Sequence, residues 1–205
     1  MSDPSEPKSI IETRLAHGVH RRATSLLADA AARATDAAAL AELRDFLVAT
    51  LHHHHESEDA DLWPLITAIA PETAGPLADL STEHDELDAC LDALAAAPLD
   101  DRLVLEKAAV AVRDLVHLHL EHEEPLLLPA LRNHVSEEAW EEFSNKVIVT
   151  SPPTGAHLMV GLFDEVGTPE EVELMLSGLP APVQPLLPVM RVQAKATLDA
   201  LRPTA

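Results

Sequence analysis

The chain carries one short pattern twice, and this internal repeat constrains the fold more than any other feature of the sequence. Residues 51–66 read LHHHHESEDADLWPLI and residues 117–131 read HLHLEHEEPLLLPAL. Each copy has a histidine, a glutamate four residues later and a proline six residues after the glutamate, namely His54, Glu58 and Pro64 in the first copy and His119, Glu123 and Pro129 in the second. Residues four apart lie on one face of an α-helix. Each copy therefore predicts a helix that presents an imidazole and a carboxylate to the same side.

Apolar residues at helical spacing predict four long helices around and through the two copies. Asp36 and Asp100 are the predicted N-caps of the second and the fourth helix, and Gly75-Pro76 is expected to precede the third. The helices are predicted to cover residues 10–33, 36–69, 77–96 and 100–133. Long helices joined by short turns pack as antiparallel neighbours. The expected fold is therefore an all-α, up-down four-helix bundle, and an aromatic content of only 2% disfavours a sheet.

The composition changes after Asn133, where proline becomes frequent. Eight of the 16 prolines lie between residues 151 and 203. Thr168 to Glu171 has the order of a capping box, with a proline at the first helical position. Short helices are predicted over residues 137–147, 155–164, 169–178 and 183–201. We expect residues 8–134 to form the bundle and residues 135–205 to form a helical extension that packs on it.

The charge and the cysteine content limit the classes of partner and compartment. Thirty-five acidic residues against 14 lysines and arginines give a net charge of −21, which repels nucleic acids and anionic membranes. We therefore expect neither as a partner. The single cysteine, Cys90, cannot form an internal disulfide, which suits a reducing cytoplasm. The polar start MSDPSEPKS lacks the apolar core of a signal peptide, and no apolar run approaches the ~18 residues that span a bilayer. A cytoplasmic protein is expected.

The helix before each copy of the repeat adds a histidine, which is either His17 or His20 on the first helix and His84 on the third. Two carboxylates in a bundle core can bridge a pair of metal ions, and the imidazoles can complete each end. Nitrogen and oxygen donors without thiolate suit iron or manganese, with zinc possible. The candidate ligands are His17, His20, His54, Glu58, His84, His119 and Glu123.

A solvated helix face is the competing interpretation, because one isolated histidine–glutamate pair at this spacing is common on acidic helices. The repetition with matched flanking residues, and the cost of burying a carboxylate without a cation or a hydrogen-bond partner, favour the metal site. His157 is expected in the apolar core. The other histidines of the two copies are expected at the surface or around the site rather than as ligands, namely His52, His53, His55, His117 and His122.

The order H…HxxxE…H…HxxxE, with a proline after each glutamate, resembles the hemerythrin-like cation-binding (HHE) domain over about residues 10–133. The helical extension and acidic composition resemble bacterial members, some of which are linked to peroxide decomposition. This resemblance implies a bundle with a non-heme di-iron centre, two iron ions with an oxo or hydroxo bridge. It implies the ligands His17, His54, Glu58, His84, His119 and Glu123, with His20 able to replace or join His17.

Two departures from the oxygen-carrying hemerythrins disfavour reversible oxygen storage. Those proteins have a second histidine on the third helix where this chain has Asp88, and their fourth-helix carboxylate lies five residues after its histidine. Here Glu123 lies four residues after His119 and Glu124 lies five after it. Ferritin-like proteins use Glu-x-x-His, which this sequence lacks.

Three functions follow from this interpretation. The first is enzymatic decomposition of hydrogen peroxide at the di-iron centre, for which Asp59, Asp88 and Glu124 are candidate acid or base groups. The second is reversible binding of oxygen or nitric oxide at the same centre, which the extension would report or cover. The third is an acidic helical bundle that binds a protein partner and holds no metal.

Overall fold

Every regular element that the structure describes is helical, which confirms the all-α prediction. This structure is a computed structural model and describes residues 6–33 and 36–203. The first five residues of the polar start and the last two of the predicted extension lie outside these ranges. The helices of the bundle region are α1 Lys8–Ala31, α2 Ala37–Ser57, α3 Trp63–Ile69, α4 Ala74–Ala96 and α5 Arg102–His134. Those that follow are α6 Glu137–Thr150, α7 Ala156–Val166, α8 Pro169–Ser177 and α9 Leu187–Ala200.

Most of the predicted helix boundaries are close to the observed ones, and two need correction. The Asp36 carboxylate caps α2, and Thr168 and Glu171 form the predicted capping box of α8. The N-cap of α5 is Asp101 rather than Asp100, because the Asp101 carboxylate accepts a hydrogen bond from the amide three residues later. Gly75-Pro76 lies inside the first turn of α4 rather than before it. A proline is tolerated there because its missing N–H would have no helical partner.

The predicted second helix runs from Ala37 to Ile69 and contains a π-helical turn at Glu58–Leu62, which joins α2 to α3. The N–H of Trp63 donates to the carbonyl of Glu58, five residues back. Pro64 explains the wider turn, because a proline ring crowds the carbonyl four residues earlier in a regular helix. In α5, by contrast, Pro125 and Pro129 lie within one unbroken helix. The two copies of the repeat therefore differ in backbone although their sequences agree.

The bundle is closed by packing of α1 on α2 and α5, and of α4 on α2 and α5. Leucines from α2, such as Leu43, Leu47 and Leu51, are almost fully buried in this core. The later helices pack against the side of the bundle formed by α1 and α2, with α7 in contact with α1 and α9. The indole N–H of Trp140 on α6 donates to the buried carboxylate of Glu12 on α1 at 2.7 Å. Apolar and polar contacts thus both join the extension to the bundle.

Candidate metal centre

Two glutamates lie at the centre of the bundle, and each faces imidazoles on two helices. Oε1 of Glu58 lies 3.5 Å from Nε2 of His54, and Oε2 lies 3.5 Å from Nε2 of His84. Oε1 of Glu123 lies 3.5 Å from Nε2 of His17, and its Oε2 lies 3.3 Å from Nε2 of His119. Each carboxylate therefore connects a histidine of its own helix with one from another helix.

The six residues form two groups of donor atoms that share the carboxylates. In the first group, one ligand atom each from His17, His54, Glu58 and Glu123 all lie within 4.8 Å of one another. In the second, the Nε2 atoms of His84 and His119 lie 3.2 Å apart, beside the remaining carboxylate oxygens. Metal bonds of about 2.1 Å place neighbouring donors roughly 3.0–3.4 Å apart. The observed separations of 3.2–3.5 Å thus fit donors around two ions.

Three of these imidazoles are oriented by a carboxylate on their outer nitrogen. Nδ1 of His17 lies 3.1 Å from Glu124, Nδ1 of His84 lies 3.0 Å from Asp59, and Nδ1 of His119 lies 2.8 Å from Glu83. An ionised carboxylate only accepts hydrogen bonds, so each Nδ1 carries a proton, and in the neutral form of each ring Nε2 keeps a lone pair that points inward. A carboxylate on the outer nitrogen of the ring is typical of metal-binding histidines.

The sequence interpretation missed Glu83 and left the orientation of three acids open. Glu83 lies on α4 and reaches His119 on α5, a contact between helices that no spacing along the chain reveals. Asp59 and Glu124, expected as possible acid or base groups, instead bind the outer nitrogens of His84 and His17. Asp88, the third candidate, binds His55.

Several polar atoms in this cluster are buried without a hydrogen bond. Among the described residues, seven buried side-chain nitrogen or oxygen atoms have no hydrogen-bond partner, and six belong to candidate ligands. The six are Nε2 of His17, Nδ1 of His20, Nε2 of His54, Oε2 of Glu58 and both carboxylate oxygens of Glu123. Such atoms are costly to bury. In addition, the inward lone pairs of His84 and His119 face each other. Cations among these donors would satisfy both groups, so the residues present fit metal ions.

A comparison with protein families agrees with this geometry. The family model described as the hemerythrin HHE cation-binding domain matches residues 12–131, more than half of the chain. The chain belongs to the hemerythrin HHE family. The match contains all seven candidate ligands and ends before α6. Searches of curated proteins and of solved structures each returned no match.

The electrostatics of this HHE domain are dominated by burial. Burial and the neighbouring Glu123 raise the pKa of Glu58 well above its usual value. Burial also acts to raise the pKa of Glu123, but His17, His119 and His84 outweigh it and lower that pKa to about 2. Burial and the neighbouring His20 and His17 lower the pKa of His54, which favours the neutral form that binds metals. Positive charge beside both glutamates would allow both to ionise.

Two further histidines of the HHE domain lie beside these groups. His20 is 2% exposed and its ring lies 4.6 Å from that of His54, but it is not one of the four residues within 4.8 Å. Burial, followed by His17 and His55, lowers the pKa of His20 to about 3. His55 is also buried, stacks on His84 at 4.5 Å and contacts Asp88 at 2.7 Å. His20 and His55 are therefore buried directly beside candidate ligands of the metal centre.

Five other histidines contact groups other than Glu58 and Glu123. His52 faces Asp88, His53 contacts Thr150, His117 contacts Ser25 and His122 contacts Glu83. His157, expected in the core, is partly exposed, because it faces Glu42 at the surface of α2. Within the residues that the structure describes, every helix is too short or too polar to cross a membrane.

Proposed function

We propose that this member of the HHE family holds two iron ions, with an oxo or hydroxo bridge, and decomposes hydrogen peroxide. One observation carries the assignment of two ions, because each of two buried glutamates faces one histidine from each of two groups. The first ion would be held by His17 and His54 and the second by His84 and His119. Glu58 and Glu123 would bridge them, and His20 would stand beside the first ion.

The reaction is 2 H2O2 → O2 + 2 H2O, in which one peroxide is oxidised and another is reduced, so no further reductant is needed. Bound iron supplies the change of oxidation state and the coordination positions for a small ligand. Each ion would be held by two imidazoles and two carboxylate oxygens of the chain. Glu124, Asp59 and Glu83 keep three of the imidazoles in the orientation and tautomer that binding requires.

The proposed setting follows from the charge and the thiol content. We assign the protein to the cytoplasm, where a single free cysteine, Cys90, stays reduced. Its partner is a small oxygen species rather than a nucleic acid, because a net charge of −21 opposes the binding of polyanions.

The test begins with iron content and an absorption spectrum of the chain purified without chelator. The wild type is expected to hold about two irons per chain and to absorb in the near ultraviolet. The double variant Glu58→Gln with Glu123→Gln is expected to lose the iron. The matched control is Glu56→Gln with Glu121→Gln, since these exposed glutamates follow His52 and His117 at the same spacing. The control is expected to keep both iron and helicity.

Peroxide consumption on the same samples then tests the reaction. The wild type and the control are expected to release oxygen from hydrogen peroxide, and the double variant is expected to release none. Iron-loaded protein that leaves peroxide intact but changes its spectrum reversibly with oxygen or nitric oxide would contradict the enzyme and indicate a carrier or sensor. Wild-type protein that takes up no iron under anaerobic ferrous loading would contradict both.

A further inference from the structure

A cavity of about 400 Å³ lies between the bundle and the extension. Its bundle side is formed by α1 and α2, and its other side by residues of α6, α7, α8 and α9. The volume lies in the range of roughly 300–1,000 Å³ that is typical of sites for organic ligands. The volume of a hydrogen peroxide molecule is of the same order as that of a water molecule, which occupies about 30 Å³ in the liquid. A cavity of this size is therefore not explained by peroxide.

The cavity lining is rich in phenylalanine and methionine, although the chain contains few residues of either type. The chain has three phenylalanines and four methionines in 205 residues. Every phenylalanine and every methionine after the first residue lines this cavity, namely Phe46, Phe143, Phe163, Met159, Met175 and Met190. Methionine is flexible and adapts to the shape of what it contacts. This lining offers an adaptable apolar surface for an apolar molecule.

The polar groups of the cavity lie mainly on the bundle side, and they include His17, His20 and His54. His20 is 2% exposed, and its Nδ1 has no hydrogen-bond partner among the described residues. The Glu12 carboxylate also lines the cavity, but it already accepts from Trp140 and Ser144. A molecule in the cavity would therefore meet an unpaired imidazole nitrogen at the bundle side and apolar groups elsewhere.

Before any metal binds, the charges of the lining disfavour an anionic occupant. Glu12 and Glu58 line the cavity, whereas none of its lining residues among those described is a lysine or an arginine. A carboxylate or phosphate would be desolvated there without a basic side chain to pair with it. The occupant that fits this lining is neutral.

We propose that the cavity binds a neutral aliphatic molecule with one oxygen-bearing end. The chain of the molecule packs against Met159, Met175 and Met190, and the oxygen-bearing end lies beside His20. The apolar contacts supply the affinity, and the single polar contact fixes the direction in which the molecule enters. This binding goes beyond the proposed peroxide reaction and does not depend on it, because the cavity is formed by protein side chains alone.

The test uses 1-decanol as the probe, titrated calorimetrically into the full-length chain as purified, with iron content measured on the same sample. Saturable binding of about one molecule per chain is expected. Decanoate at pH 8 has the same chain length but is an anion, and it is expected to bind the chain stripped of metal at least about tenfold more weakly than 1-decanol does. Equal or tighter binding of decanoate would overturn the proposal of a neutral occupant.

Variants that fill the cavity test its location. Met159→Trp and Met175→Trp place larger side chains in the lining and are expected to weaken 1-decanol binding at least about tenfold. Leu115→Trp is the matched control, because Leu115 is partly buried on α5 outside the cavity, and its affinity should equal that of the wild type. Thermal melting shows whether each variant is folded.

The two proposals can fail separately. No saturable binding by the wild type, or unchanged affinity in both folded cavity variants, would overturn the cavity site whatever the iron content. Decanol binding to a sample without iron would support the cavity site and count only against the metal centre.

Discussion

At the scale of single residues, the imidazole of His17 lies between two carboxylates, and only its Nδ1 is hydrogen-bonded. Nε2 faces Glu123 at 3.5 Å, and Nδ1 faces Glu124 at 3.1 Å. Arg21 in turn donates to Glu124 at 2.6 Å. Burial acts to raise the pKa of Glu124, but hydrogen bonds from His17 and Arg21 outweigh it and lower that pKa to about 2. Glu124 is therefore ionised near neutral pH and fixes the ring of His17.

Glu124→Gln is expected to weaken iron binding by about 10–100-fold, the usual effect of removing a carboxylate that orients a metal-binding histidine. The amide can still accept a hydrogen bond but cannot supply the negative charge. Affinity is measured by competition with a chelator. Glu121→Gln, an exposed carboxylate on the same helix, is the control and should bind iron as the wild type does. Equal affinity in both variants would show that Glu124 does not position the ligand.

The sequence predicts some of these residues and leaves others undecided. The alignment of the two copies selects His54 from four consecutive histidines, and the structure places His54 beside Glu58. The alignment does not decide between His17 and His20, because residues three apart share a helix face. It also does not reveal Glu83, since a contact between α4 and α5 depends on how the helices pack.

At the scale of the elements, the crossing of α7 and α9 depends on one glycine. A Cβ atom at Gly161 would overlap with Cβ of Ala194 and would lie 3.4 Å from Cδ1 of Leu198. Helices α7 and α9 approach each other so closely here that there is no room for a side chain at Gly161. The close crossing contributes to the wall of the cavity, because Met159, Val160 and Phe163 lie on the same short helix.

Gly161→Ala is expected to lower the free energy of unfolding by about 1–3 kcal/mol, the usual cost of overpacking, although alanine favours helices elsewhere. Gly75→Ala is the matched control, because a Cβ there meets nothing within 4 Å, and it should change stability by less than about 1 kcal/mol. Both are measured by unfolding in denaturant. A Gly161→Ala variant as stable as its control would indicate that α7 and α9 do not cross so closely.

The elements also show where periodicity fails as a predictor. Periodicity and caps predict the order and type of the main helices, because apolar spacing and capping chemistry are local. The π turn at Glu58–Leu62 was not predicted. Pro64 and Pro129 hold equivalent places in the repeat, yet only the first follows a π turn. The backbone around a proline thus depends on packing that the repeat does not encode.

At the scale of the whole molecule, the buried glutamates couple metal binding to stability. Two carboxylates in a bundle core are unfavourable unless cations or hydrogen bonds compensate them. Iron that binds only the folded chain stabilises it by mass action. The folded state should therefore depend on metal more than the size of its apolar core suggests.

Thermal melting tests this coupling. After iron removal, Glu58→Gln is expected to melt a few degrees above the metal-free wild type, because burial and Glu123 raise the pKa of Glu58 and leave its carboxylate poorly compensated. About 1 kcal/mol shifts the midpoint by roughly 2–4 °C in a chain of this size. The iron-loaded wild type is expected to melt highest. Glu56→Gln, at an exposed position, is the control and should follow the wild type in both states. A Glu58→Gln variant that melts below the metal-free wild type would mean that this carboxylate is already satisfied within the protein.

The cavity is also a property of the whole molecule, and the sequence does not predict it. Its phenylalanines and methionines come from helices far apart in the chain, and each of them alone resembles an ordinary core residue. The extension was expected to pack on the bundle, but a space between the two depends on how four short helices are arranged. Such an arrangement has no signature in local spacing.

The position of the cavity also makes the two halves of the metal centre different. The repeat makes His54 and Glu58 of one half correspond to His119 and Glu123 of the other. The cavity breaks this correspondence, because its lining among the described residues includes His17 and His54 but neither His84 nor His119. His54 is also 18% exposed, while the other five side chains of the two donor groups are at most 3% exposed. The two halves of the centre are thus inequivalent, because only the half that contains His17 and His54 borders the cavity.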